Sequence, residues 1–114
     1  MAAEINTIIY PVKDLGSAKK LYGRLLETEP VMDEPYYVQF NVGGQQIGLD
    51  PHGHAKGLTG AVPYVPVDDI QAALTRLREA GAEERQAPTD VGGGRLIALV
   101  ADPDGNLTGL MQDT

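Results

Sequence analysis

A five-residue stretch occurs twice in this chain. Pro11-Val12-Lys13-Asp14-Leu15 returns as Pro66-Val67-Asp68-Asp69-Ile70, 55 positions later. Each copy follows a short apolar run and opens a helical pattern, so each reads as the join between a strand and a helix. A duplication at this period points to two similar supersecondary units, and neither alone can bury its apolar sheet face. Few folds of 114 residues satisfy that condition.

The first unit is predicted as follows. Ile5 to Pro11 is β-branched and aromatic, as a strand prefers. Asp14 is placed to cap a helix whose apolar stripe is Leu15, Ala18, Tyr22, Leu25 and Leu26. Gly23 interrupts that helix at a cost of about 1 kcal/mol against Ala, which close packing would explain. Pro30 and Pro35 bracket a short edge strand at Val31-Met32. Tyr36–Val42 and Gln45–Leu49 form a hairpin over Gly43-Gly44, two glycines that admit positive φ angles. A two-residue turn then sets Asn41 opposite Gln46, Gln39 opposite Gly48 and Tyr37 opposite Asp50, all on one face.

Residues 50–59 are rich in Pro and Gly and read as a linker. The plan then repeats. Ala61–Pro66 is a strand, and Asp68 or Asp69 caps a helix with the stripe Ile70, Ala73, Leu74 and Leu77, ended near Gly81. Glu83–Ala87 is an edge strand, Asp90–Gly94 a turn, and Arg95–Ala101 an apolar strand with both faces buried. Asp102-Pro103-Asp104-Gly105-Asn106 is a turn before the last strand, Leu107–Met111. After the helices the offset grows, which pairs Gly48 with Gly109 and Tyr36–Asn41 with Ile97–Asp102. The expected organisation is one domain over residues 1–114, with βαβββ units at 5–50 and 60–112 and a linker at 51–59.

Composition narrows the function classes. The net charge is −7, which opposes nucleic-acid binding and mildly favours neutral or cationic ligands. Cys is absent, so neither disulfides nor thiol chemistry enter. No apolar run reaches the roughly 20 residues of a membrane span. Met1 to Glu4 lacks the basic start of a signal peptide, and a cytoplasmic location is expected.

With these elements in place, the chain resembles the vicinal-oxygen-chelate superfamily, which holds glyoxalase I, bleomycin-resistance proteins and extradiol dioxygenases. The resemblance rests on the paired βαβββ units, on Pro-Val-x-Asp-Leu with Tyr22 in the following helix, and on Asp-Pro-Asp-Gly-Asn before the last strand. It implies an α+β fold: a curved mixed sheet around a concave groove, helices outside. It also implies a homodimer. Metal-dependent members place His, Gln or Glu ligands early in the first strand and in the last strand of each unit. Those positions fall here on Thr7, Gly48, Val62 and Gly109, none of them a competent ligand alone. No metal or other cofactor is therefore expected.

Two outcomes are open at the vacated glycines. Larger neighbours such as Tyr37 or Tyr64 fill the space, or a cavity remains with Gln39, Gln46, Asn41 and Asp50 at its margin. Tyr64 shares a face with Val62 and either stacks on a ligand or fills the core. Arg95 either reaches a ligand anion or caps a strand in solvent, and Met111 reads first as packing. His52 and His54 with Asp50 form Asp-x-His-x-His, a metal pattern only if the loop folds back, and otherwise a solvated linker. Three functions are weighed. The first is a small-molecule-binding protein with a metal-free groove, its ligand touching Thr7, Tyr37, Gln39, Gln46, Gly48, Asp50, Val62, Tyr64, Gly109 and Met111, with no catalytic residue assigned. The second is a lyase, isomerase or dioxygenase of the same superfamily with an atypical site. The third is an interaction module with a closed groove.

Overall fold

The two strand-to-helix joins form the same local structure. The computed structural model describes residues 3–113; the terminal reading made on Met1 and Ala2 lies outside the described residues. Strand β1 (Thr7–Pro11) leads to helix α1 (Leu15–Leu26), and strand β5 (Val62–Pro66) leads to helix α2 (Ile70–Glu79). Asp14 is the N-cap of α1 and accepts from the Ser17 N–H at 3.0 Å. Asp69, rather than Asp68, caps α2 and accepts from the Ala72 N–H at 3.1 Å. Each carboxylate satisfies a donor that the first helical turn leaves unpaired. In addition, the Gln112 side-chain oxygen accepts from the Ile70 N–H at 2.7 Å, tying the start of α2 to the last strand.

The remaining strands are β2 (Met32–Glu34), β3 (Tyr37–Val42), β4 (Gln45–Asp50), β6 (Glu83–Asp90), β7 (Leu96–Ala101) and β8 (Leu107–Gln112), with a short 3₁₀ turn at His54–Lys56. The chain is thus α+β and βαβββ in each half. It divides into two compact units, residues 6–62 and residues 63–113 with the lead-in 3–5.

In the 6–62 unit the strand order is β2-β3-β4-β1. Only β1 and β4 run parallel, so the sheet is mixed. Val38, Phe40, Ile47 and Leu49 form the core on the face covered by α1, joined by Leu15, Ala18, Tyr22 and Leu26. Leu25, in the apolar stripe by its spacing, lies outside the core at 66% exposed, beside exposed Leu21. Gly23 is not forced by packing either, since a β-carbon there would meet Phe40 at an ordinary 3.7 Å. The helix ends at Glu27 in the left-handed conformation, φ 55°. The Gly43-Gly44 hairpin has the predicted register, with Asn41 opposite Gln46 and Gln39 opposite Gly48. Only Gly43 takes a positive φ.

In the other unit the order is β5-β8-β7-β6, with β5 and β8 parallel. Its core gathers Ile70, Ala73 and Leu74 of α2 over Ala98, Val100 and Leu110. Ala98 to Ala101 are buried in succession, as the apolar run requires. The edge strand β6 runs past the expected end at Ala87 to Asp90, with register shifts on either side of Gln86 that take in Pro88. One repeat relation needs correction. Gly109 pairs with Leu99, so Gln39 corresponds to Leu99 and not to Val100. The turn from Asp102 to Asn106 is longer than Gly43-Gly44, and a one-residue slip exchanges the two faces of a strand.

Candidate functional site

Because α1 covers one face of the 6–62 sheet, alternation assigns the other face. Thr7, Ile9 and Pro11 of β1, Tyr37, Gln39 and Asn41 of β3, and Gln46, Gly48 and Asp50 of β4 point away from the helix. The polar members are linked. Gln39 Nε2 donates to Asn41 Oδ1 at 2.9 Å. The Thr7 hydroxyl donates to Asn6 Oδ1 at 2.9 Å and lies 3.4 Å from Gln46 Oε1. Thr7 is 5% exposed, so these bonds satisfy a buried hydroxyl.

Asp50 is also buried, and both carboxylate oxygens are occupied. Oδ1 accepts from the His52 N–H at 2.8 Å and Oδ2 from Lys56 Nζ at 2.8 Å. The carboxylate fastens the 51–57 loop back onto the strand end. Gly53 packs against Pro11 in that loop, where a β-carbon would fall 2.6 Å from the proline Cβ. Among the described residues, no three His, Cys, Asp or Glu side chains gather as a metal-holding group.

The vacated positions are filled. Ile9 is the register partner of Gly48, and a β-carbon on Gly48 would fall 2.6 Å from Tyr37 Cζ and 2.7 Å from Ile9 Cδ1. In the other unit Tyr64 is the register partner of Gly109, and a β-carbon there would fall 2.6 Å from Tyr64 Cζ. Real β-carbons do not approach so closely. A larger residue at either position would have to displace these side chains. Ile9 and Tyr64 occupy equivalent places in the repeat, and each presses on the equivalent glycine of the neighbouring parallel strand. The sequence names Tyr64 as one possible filler and gives no sign of Ile9, because no local rule fixes the register of a parallel pair.

These residues do not fit a divalent metal. A His, Gln or Glu at position 48 or 109 has no room while the tyrosines stand there. Val62, 1% exposed, offers no lone pair. Thr7 keeps a hydroxyl already engaged with Asn6. Such a site cannot assemble the oxygen and nitrogen donors that hard or borderline cations need.

The helix-free face of the second unit is apolar on its inner strands and polar on the edge strand, where Glu83, Gln86 and Thr89 stand opposite Ala101, Leu99 and Ile97. Tyr64, Leu99 and Met111 are buried on it, with Gly109 between them. Arg95 is bound through Nε and a terminal nitrogen to the Asp113 carboxylate at 2.6 and 3.2 Å. That bond holds the Asp113 carboxyl below its ordinary range. An open depression in the 6–62 unit lies on the helix side, where Lys19 and Asp33 bridge at 3.0 Å beside Gly23 and Phe40.

Comparison with known proteins agrees with this architecture. Residues 4–110 match the model of the glyoxalase/bleomycin resistance protein/dioxygenase superfamily. No protein of curated function matches the sequence. Among solved structures, a member of that superfamily from Vibrio splendidus 12B01 superposes with a TM-score of 0.73 at 17% identity, over 98% of this chain and all of its own. A structure described as an NAD-dependent benzaldehyde dehydrogenase from Legionella pneumophila gives 0.78 at 19% identity, over 96% of this chain and 99% of its own. The Mn(II)-bound glyoxalase from Novosphingobium aromaticivorans gives 0.71 at 20% identity, over 98% of this chain and 40% of its own. At these identities the likeness is one of fold. Among the described residues, no helix is long and apolar enough to cross a membrane.

Proposed function

The chain belongs to the glyoxalase/bleomycin resistance protein/dioxygenase superfamily, and within it we propose that this protein binds a small organic molecule without a metal ion. One observation carries this reading: Tyr37 and Tyr64 occupy the space over Gly48 and Gly109 from which family ligands would project. What a metal would have supplied, a charge that grips two oxygens, is replaced by aromatic surface and carboxamides. Tyr37, Gln39 and Gln46 line one helix-free face, and Tyr64 and Met111 line the other. Such surfaces retain and orient a ligand by stacking and hydrogen bonds. Sequestration or carriage is the function that such surfaces support best.

Homodimerisation belongs to the same proposal. Leu21, Leu25, Val31 and Tyr36 are all more than half exposed in the isolated chain. Light scattering at rising concentration measures it directly.

The binding reading is tested by a thermal-shift screen of small organic compounds in the presence of a chelator. A ligand at about one hundred times its Kd adds roughly 2.7 kcal/mol, enough to raise Tm by several degrees. The expected result is a set of stabilising compounds whose effect survives the chelator and is lost in Tyr37→Ala. Stabilisation that disappears with the chelator, or no stabilising compound at all, would overturn it.

A further inference from the structure

Resting on that binding reading, we propose that the helix-free face of the 6–62 unit sets specificity and takes an uncharged, hydrogen-bonding ligand: a hydroxyl- or amide-bearing molecule rather than an ion. The argument starts from which groups on that face remain able to bond. Gln39, Asn41 and Gln46 are carboxamides on adjacent strands, in register across β3 and β4. Each carboxamide brings two N–H donors and an oxygen with two lone pairs. Their mutual bond, Gln39 Nε2 to Asn41 Oδ1, uses one donor and one lone pair. The Thr7 hydroxyl has a single proton, and Asn6 Oδ1 at 2.9 Å takes it in preference to Gln46 Oε1 at 3.4 Å. The amides are thus aligned by their neighbours and keep both donor and acceptor capacity. A partner that both donates and accepts matches them.

Charge points the same way. Asp50 is the one carboxylate within β4, and Lys56 neutralises it while the His52 N–H takes its other oxygen. It therefore offers no free charge to a cation. Glu34 stands opposite Tyr37 on the edge strand β2, at the exposed rim. A rim carboxylate in high dielectric adds little attraction and repels anions. On the helix-free face of the other unit Leu99 and Met111 lie on the inner strands, and Gln86, opposite Leu99 on the edge strand β6, brings one carboxamide rather than a group of three. The grouped amides, and with them most of the hydrogen-bonding discrimination, belong to the 6–62 unit. Gln39 and Gln46 are half-buried and Asn41 is exposed, so a ligand that covers these amides without pairing them is disfavoured.

The test is a nitrogen-15 NMR titration of the full chain, read at the side-chain NH2 signals of Gln39, Asn41 and Gln46. The probes are 2-pyridone and myo-inositol as neutral ligands, benzyltrimethylammonium as a cation and benzoate as an anion. At least one neutral probe should shift these signals saturably. Its binding should weaken about tenfold in Gln39→Leu/Gln46→Leu. Glu34→Gln should leave it unchanged, and the amide fingerprint of each variant reports that the fold persists. Saturable shifts from the cation alone, abolished by Glu34→Gln, would overturn this inference and leave the binding reading standing. Saturable shifts confined to the 63–113 unit would do the same. The absence of a saturable shift anywhere with all four probes would overturn both.

Discussion

Tyr64 lies beside Gly109 on the neighbouring parallel strand, so close that a β-carbon on the glycine would fall 2.6 Å from the tyrosine Cζ. The two residues are a single steric unit. Gly109→Ala should therefore destabilise the protein by about 1–3 kcal/mol through overpacking. In a Tyr64→Ala background the same change should cost much less, because the ring that obstructs it is gone. Urea unfolding of the two single variants and the double variant gives the coupling energy, and additive effects would show that the pair is not in contact.

Helix α1 contains two correctable defects. Gly23 has room for a methyl group, and Glu27 holds a left-handed backbone at φ 55°. Gly23→Ala should stabilise the fold by about 0.5–1 kcal/mol, since glycine loses the most backbone freedom on folding. Glu27→Gly should stabilise it by roughly 1 kcal/mol, because glycine adopts this conformation without steric cost. Both changes keep the capping bond from the Glu27 N–H to the Gly23 oxygen. Thermal unfolding measures each.

Asp102 organises the turn before the last strand. Its Oδ1 accepts from the N–H groups of Asp104 and Asn106, and its Oδ2 from the Asn106 side chain, each at 2.9 Å. The Asn106 side-chain bond, followed by the backbone bonds, holds the carboxyl below its ordinary value of 3.8. The Ser17 N–H does the same for Asp14. A folded-state value below the unfolded one means that these groups stabilise the protein above the unfolded pKa. The contribution is lost as pH falls through the folded value. Asp102→Asn should accordingly be less stable than the natural chain near neutrality, and the difference should close as pH falls below 3.8 and through the lower folded-state value. Chemical denaturation across that window tests the sign.

The register of the Gly43-Gly44 hairpin was legible because a two-residue turn leaves the strands no freedom to slide. Gln39 and Asn41 were thereby placed opposite Gly48 and Gln46 from sequence. The Asp102–Asn106 turn gave no such constraint, and the repeat alignment slipped by one residue across it. Tyr64 against Gly109 depends on a parallel pair joined through a helix and two further strands, and no local rule fixes its register. Filling by the tyrosines was one of two open outcomes, because side-chain volume is readable and its direction between strands is not. Asp50 illustrates the same limit. Its position facing Tyr37 followed from alternation, but its bond to Lys56 required the loop to turn back. Leu25 fitted the helical stripe by spacing and still lies outside the core, because α1 rests on the sheet with a narrower face than the periodicity allows.

The central claim is that tyrosines have taken the place of metal donors in both halves of the repeat. Elemental mass spectrometry of the untagged protein, with His52 and His54 both replaced by Ala to remove adventitious sites, tests it most directly. The account predicts no manganese, iron, cobalt, nickel or zinc in stoichiometric amount, before or after incubation with each ion. One equivalent of any of them per chain, retained through gel filtration and lost in Thr7→Ala, would contradict it.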